Sequence, residues 1–294
     1  MIQHIEKIIR DKGLCGDEKL SFLKYATPAS GRHLDDKVLF FVFRDTESTP
    51  FLCIKTIRSY YAHDVLVHNF FSLKKVHTLT KCGPYEDLFV EALFLYDDGE
   101  FVWSVERVGK GKRMRFTPAM VKDFVSTYTH FQKSIIDEEK PRIEDVCEYV
   151  KNTIETSKLS PKSKEMVTHF LQELPSLPLA VPAIMQHGDL SQDNILVSQK
   201  QFHVIDCDYT DLIYLPGFDI FHFIYRHHTT GVNTLLEESL SHYFEIIGVN
   251  ISKEQYKQLY VMYYLLDRVV RKPHELEKQT PHTLVLELKT HLGI

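Results

Sequence analysis

"HGDLSQDNIL" sets Asp189 five residues ahead of Asn194, and "VIDCD" brings Asp206 and Asp208 soon after. Carboxylates and an amide are oxygen donors. Mg²⁺ accepts such hard ligands in small number, keeping waters and taking the remainder from phosphates. The triplets "ILV" and "HVI" flank "SQKQF" and are β-prone. Paired antiparallel about Lys200, they put position 194 opposite position 206, with Cβ atoms about 5 Å apart. In that register Asn194 and Asp206 share one Mg²⁺. Asp189, kept near by a short loop, is left to accept a proton from an attacking hydroxyl. Any one of these residues alone reads as a turn, because Asp and Asn bond their own backbone. Three in this order, on loop, strand, turn and strand, read as a site.

The elements around this segment divide the chain in two. The front is strand-rich: "KLSFLKYA" and "KVLFFVFRD" flank the polar bend "TPASGRHLDD", and "TPFLCIKTIR" follows. "AHDVLVHNFFSLKKVHTL" has helical spacing, with Val65, Leu66, Phe70, Leu73 and Val76 on one side. "YEDLFVEALFLYDDGEFVWSVERV" reads as a hairpin turning at "DDG". Beyond it helices dominate. Thr117-Pro118 and Ser160-Pro161 are N-cap and first-turn pairs, and "SKEQ" from Ser252 is a capping box. The expected division is residues 1–107 and 108–294, with a hinge in "ERVGKGK".

Bulk properties narrow the class. The chain has 294 residues, 44% of them hydrophobic and 26% charged, enough to bury a large core. A net charge of −5 gives no global attraction to nucleic acid or an anionic membrane. "MIQHIEKIIRDKG" spaces Ile2, Ile5, Ile8 and Ile9 as a helix and lacks a signal peptide's apolar core. No apolar run is long enough for a membrane span. Five cysteines without a C-x-x-C pair point to a reduced cytoplasm.

"HGDLSQDNILV…VIDCDY" resembles the catalytic segment of the aminoglycoside phosphotransferase and choline kinase superfamily: H-G-D, four residues, N, a hairpin, then I-D. "IDCDY…GFDIFHF" is similar to the choline kinase pattern I-D-F-E-Y followed by F-D-I, aligning Asp208 with the second acidic position and Asp219 with a structural Asp. The resemblance implies an α+β, protein-kinase-like fold, with an antiparallel-sheet N-lobe and a mostly helical C-lobe. It also implies ATP and Mg²⁺ as cofactors, and phosphoryl transfer to a hydroxyl of a small molecule such as a sugar, amino sugar, aminoglycoside or amino alcohol like choline. By the same resemblance Asp189 is the catalytic base, and Asn194 and Asp206 bind Mg²⁺. Lys55 in "FLCIKTI" reaches the nucleotide phosphates. Gly31 in "ASGRH" lies over them, and the Glu106 carbonyl with the Val108 amide receives adenine.

One departure stands out. The helix Glu that pairs with the strand Lys in such kinases is absent, and its place falls on His68 or Asn69. A catalytically weak or silent nucleotide-binding or scaffold protein is therefore the alternative reading. A protein kinase is disfavoured by His-Gly-Asp and by the lack of D-F-G or A-P-E motifs. For the acceptor, Asp193, Asp208, Asp211 and Asp219 with Tyr209 and Tyr214 suit a cationic amine, although Asp211 reads first as a solvated turn and Asp219 as a cap of the helix "FDIFHFIYRHH"; Asp208 and Tyr209 are the substrate residues chosen from them. "GKGKRMR" could draw an anionic sugar instead, though such a run reads first as a solvated loop.

Overall fold

The computed structural model describes residues 2–26, 37–45, 47–58, 62–136, 139, 142–174, 176–199, 201–227 and 232–292. Gly31 and the bend around it lie outside the described residues, as does Lys200. The chain forms two compact units: Met1–Lys112 with Leu196–Asp208, and Arg113–Ile195 with Tyr209–Ile294. The first unit runs past residue 107 because Lys112 and Val197 exchange backbone hydrogen bonds of 3.2 and 3.0 Å. That pairing ties residues 109–112 to the late hairpin. Gly111, at φ 100°, permits it, since a Cβ there would lie 2.3 Å from the Val197 carbonyl oxygen.

In the first unit β1 (Leu20–Ala26), β2 (Lys37–Arg44), β3 (Leu52–Ile57), β4 (Ala92–Asp97) and β5 (Val102–Arg107) form an antiparallel sheet, in the order β1-β2-β3-β5-β4. Its period-2 pattern sorts the faces. Val38, Phe40, Val42, Leu52, Ile54, Trp103 and Val105 pack in one core with Ile5 and Ile9 of helix α1 (Ile2–Asp11). Helix α2 (His63–Thr80) buries Leu66, Asn69, Phe70, Leu73 and Val76. Asn69 is buried within that apolar stripe, and Ser72 and Thr80 are the other polar residues that the helix buries. The β4–β5 turn is held by Asp98, whose carboxylate accepts the amides of Glu100 and Phe101. The hairpin β6 (Ile195–Ser198) and β7 (Gln201–Val204) completes the unit, with the His203 ring 2.7 Å from the Asp87 carbonyl oxygen.

The second unit is helical: α3 (Pro118–Ser134), α4 (Val146–Thr156), α5 (Pro161–Gln172), α6 (Phe218–His227), α7 (Val232–Ile247), α8 (Lys253–Leu266), α9 (Pro273–Leu276) and α10 (Pro281–Leu292). The expected caps form. Thr117 accepts the Met120 amide, Ser160 accepts that of Ser163, and Ser252 with Gln255 closes a capping box. Between α8 and α9, residues Asp267–Arg271 form a π-turn, a device that re-aims side chains within a helical run. No helix among the described residues is long and apolar enough to cross a membrane.

Candidate functional site

In the first unit Lys55 of β3 stands opposite Leu39 on β2 and Ser104 on β5. Alternation then puts Lys37, Lys55 and Glu106 on one face of the sheet, the face opposite Leu52, Ile54 and Val105. Lys55 is 4% exposed, and its Nζ lies 3.1 Å from Glu106 Oε2 and 3.4 Å from Asp206 Oδ1. Burial pulls this ammonium down, but Glu106 and then Asp206 outweigh it and hold Lys55 well above its ordinary value. Burial pushes the Glu106 carboxyl up, with Lys55 pulling against it. Lys37 Nζ lies 2.9 Å from Asp206 Oδ1 and bonds both carboxylate oxygens of Asp208. Asp208 is itself raised, by burial first and by Asp206 second.

This cluster accounts for the absent helix Glu. Asn69 sits on the buried stripe of α2, where its Oδ1 accepts from Lys55 at 3.4 Å and its Nδ2 donates to Asp208 at 2.7 Å. A Glu there would set a further carboxylate against Asp206 and Asp208; the amide instead offers each neighbour the group it needs. The carboxylate for Lys55 comes from the adjacent strand. Sequence reading gave Glu106 only a backbone role and overlooked Lys37 altogether. Both were recoverable from alternation along "VWSVER" and "KVLFFVF", but only once β2, β3 and β5 are known to be neighbours. The Glu106 backbone lies within β5, paired with Cys53 and Ala92, and Val108 follows the strand half-buried.

Asp206 belongs to the first unit and Asn194 to the second, and neither lies in a paired strand. Asn194 ends the 3₁₀ turn Gln192–Asn194 before β6, whereas Asp206 lies beyond β7 at φ 67°. Cross-strand opposition therefore does not hold this pair, because both residues fall outside the ladder.

In the second unit the loop from His187 to Asn194 rests on Asp219, which is fully buried near the start of α6. Asp219 Oδ2 accepts the His187 amide and the Tyr128 hydroxyl, both at 2.7 Å, while Oδ1 accepts the Gly188 amide at 2.9 Å. Burial pushes its carboxyl up, and these donors work against that. Gly188 adopts φ 81°, and a Cβ there would lie 2.6 Å from the Tyr209 carbonyl oxygen, so the position demands glycine. Asn194 Nδ2 donates to the Asp189 carbonyl at 2.9 Å and to Asp189 Oδ2 at 3.3 Å.

Asp189 has cationic partners that no motif announced. Its Oδ1 lies 3.1 Å from Arg226 Nη1 of α6 and bonds Arg271 Nη2 of the π-turn. Arg271 also bonds Asp267 and His222 Nε2, and its guanidinium stands 5.5 Å from the centre of the Tyr209 ring. An arginine only donates, so His222 Nε2 is an acceptor, and its Nδ1–H goes to the Leu190 carbonyl at 2.8 Å. His222 is thus neutral: burial first, then Arg271, lowers its pKa to about 4.

Three of the acidic residues considered for the acceptor have partners of their own. Asp219 is taken up by the loop backbone, Asp208 by Lys37 and Asn69, and Asp211 by the Tyr214 hydroxyl at 2.6 Å. Asp193 is exposed, and so are Lys110, Lys112, Arg113 and Arg115 of the basic run.

No protein-family model matches the sequence, and neither does any curated protein. Solved structures do match. The aminoglycoside phosphotransferase APH(4)-Ia superposes with a TM-score of 0.55 at 10% identity over 99% of each chain. APH(3'')-Id from Streptomyces rimosus gives 0.51 at 11% identity over 90% of this chain and 98% of its own. The macrolide 2'-phosphotransferase MphH from Brachybacterium faecium gives 0.52 at 9% identity over 94% and 95%. At such identities the likeness is one of fold: the chain has the two-lobe α+β, protein-kinase-like fold of the aminoglycoside phosphotransferases. That is the fold the His-Gly-Asp segment led us to expect.

Proposed function

We propose that the protein is a small-molecule kinase, which moves the γ-phosphoryl group of ATP to an alcohol. The observation that carries this reading is the buried Lys55–Glu106 pair beside Asp206. A buried ammonium costs stability unless paired, and a charged Lys directed by two carboxylates suits binding of nucleotide phosphates. Without a Glu in α2 the silent reading would gain ground; Glu106 supplies the missing charge from β5. Two of the similar structures are complexes with ADP, one of APH(3'')-Id with streptomycin and one of an APH(4)-Ia mutant with hygromycin B. That supports an adenine nucleotide as donor here, with Val108 and the β5 end as its adenine contacts.

Mg²⁺ fits the donor set. Asn194 spends its Nδ2 on Asp189, and its Oδ1 has no hydrogen bond among the described residues. In the first unit two lysines face three carboxylates, Glu106, Asp206 and Asp208, leaving demand for positive charge. Among the described residues no group of three His, Cys, Asp or Glu side chains could hold a metal. Asp206 and Asn194 would hold Mg²⁺, which when bound neutralises phosphate charge. Lys55 then orients the phosphates, and Asp189 aligns the acceptor hydroxyl and takes its proton. The test is Mg²⁺-dependent ATP binding and slow ATP hydrolysis by the purified protein, followed by ³¹P NMR. A protein that binds no nucleotide, or binds it without any turnover, would sink this reading in favour of the silent one.

A further inference from the structure

Asp189 is paired with more positive charge than its own carboxylate requires. Arg271, 7% exposed at its side chain, already bridges Asp189 and Asp267. His222, which also lies against this pair, is neutral because its Nε2 accepts from Arg271. Arg226 comes from another element and adds a second guanidinium to the same Asp189 oxygen. Lys272 stands 4.0 Å from the far oxygen of Asp267. Three cations thus surround two carboxylates.

The two arginines differ in how firmly they are committed. Arg271 is enclosed, ion-paired twice and set over Tyr209, although its buried Nε–H has no acceptor among the described residues. Arg226 is 46% exposed at its side chain and among the described residues makes one hydrogen bond, through Nη1, of its five N–H donors. An exposed ion pair contributes little to stability. Arg226 can therefore exchange Asp189 for an incoming anion at small cost. A planar guanidinium meets carboxylate or phosphate oxygens two at a time, which fixes orientation as well as charge.

Resting on the kinase reading, we infer that the acceptor alcohol carries an oxyanion group, phosphate or carboxylate, which binds Arg226 and Arg271 beside the hydroxyl presented to Asp189. A cationic acceptor would meet two guanidinium groups at Asp189, and of the acidic side chains considered for it Asp208, Asp211 and Asp219 are engaged elsewhere, which leaves the exposed Asp193. In the transfer, the acceptor hydroxyl oxygen bonds to the γ-phosphorus of ATP. The bond from that phosphorus to the β,γ-bridging oxygen breaks, its electron pair leaving with ADP, and the hydroxyl proton passes to Asp189. Engagement of Arg226 by the acceptor's anion frees one Asp189 partner as the substrate arrives, so the oxyanion both anchors the molecule and releases the base.

The test is ligand-observed NMR and calorimetry on wild type and Arg226→Gln. The anionic alcohols are glucose 6-phosphate, ribose 5-phosphate, glycerate and gluconate; glucose and glycerol are neutral; glucosamine, choline and kanamycin are cationic. At least one anionic compound should bind and be phosphorylated from Mg²⁺-ATP. Its affinity should fall roughly tenfold or more in Arg226→Gln and weaken with salt. Binding of sugar phosphates against binding of hydroxy acids identifies which oxyanion the site takes. The inference is overturned if no anionic compound binds, if only neutral or cationic ones do, or if Arg226→Gln binds the anion as tightly as wild type. It is also overturned if Arg226→Gln loses ATP affinity instead, since the arginine would then serve the nucleotide. Failure of the kinase reading is separable: ATP binding would be absent in wild type while anion binding, measured without nucleotide, persists.

Discussion

In the first unit Lys37 and Lys55 are enclosed by Glu106, Asp206 and Asp208; in the second Asp189 is enclosed by Arg226 and Arg271. Each cluster pays for desolvation with opposite charge, and the surplus is opposite in sign. The sheet face has carboxylate to spare, the condition for receiving a divalent cation. The loop has guanidinium to spare, the condition for receiving an anion. Three adjacent strands supply Lys37, Lys55 and Glu106 of the first, and the segment after β7 supplies Asp206 and Asp208. A loop, α6 and a π-turn build the second, and its outer arginine is exposed. On the proposed reading, charge balance rather than the motif separates the two ligand classes.

The largest expected effects come from removing the acid of each cluster. Asp206→Ala should abolish turnover and weaken Mg²⁺-nucleotide binding, because it takes charge from Lys37 and Lys55 together. Asp189→Asn should keep nucleotide affinity and lower phosphoryl transfer roughly 10²–10⁴-fold. Equilibrium nucleotide titration alongside turnover reads both. Equal loss of nucleotide binding in the two variants would erase the division of labour between the clusters.

Next in size is Glu106→Ala, which strips the nearest carboxylate from a buried ammonium. It should destabilise the protein by on the order of 3 kcal/mol and raise the KM for ATP, whereas Asn69→Asp should recover neither. Urea unfolding and ATP kinetics on the single and double variants measure this. A stable Glu106→Ala with unchanged KM would leave Lys55 to Asp206 alone.

These variants also mark what could be read from the sequence. The strands, the capped helices and the His-Gly-Asp segment were legible, because alternation, N-cap pairs and an invariant-type spacing are local signals. The buried strand position of Lys55 was legible from its apolar flanks in "FLCIKTI". Glu106 was not, because its partner depends on β3 and β5 being adjacent although α2 and β4 separate them in the chain. Arg271 gave no signal either: a π-turn has no sequence signature, and an ordinary helical turn would aim that side chain elsewhere. Asp219 was legible as a structural residue from "GFDIFHF", but its burial and the amides and hydroxyl it accepts depend on the loop at His187 and on α3 packing against it.

A smaller effect separates the second cluster by pH. His222 titrates at about 4 in the fold against an ordinary 6.5. The unfolded chain therefore takes up this proton first. The stability due to His222 is full above pH 6.5 and is lost as pH falls toward 4, on the order of 3 kcal/mol across that window. His222→Gln, which cannot titrate, should have a shallower loss of unfolding free energy between pH 7 and 4.5 than wild type. Parallel slopes would mean that His222 is protonated in the fold, and that Arg271 is oriented by something else.

The smallest effect belongs to the basic run outside both clusters. Lys110 and Lys112 are exposed, and the backbone of Lys112, not its side chain, pairs with Val197. Lys55 is buried, where a charge interaction is several times stronger than at a solvated surface. Salt screens exposed charges beyond about 10 Å at 0.1 M. Replacing Lys110 and Lys112 by Gln should therefore change the KM for ATP by about threefold at most, and the change should vanish as salt is added. Lys55→Ala should raise KM or lower kcat at every ionic strength. Steady-state kinetics at low and high salt compare the two directly. If the loop variant lost more activity at high salt than Lys55→Ala, the nucleotide's cation would lie on the loop, and the sheet-face cluster would need another purpose for its paired lysines.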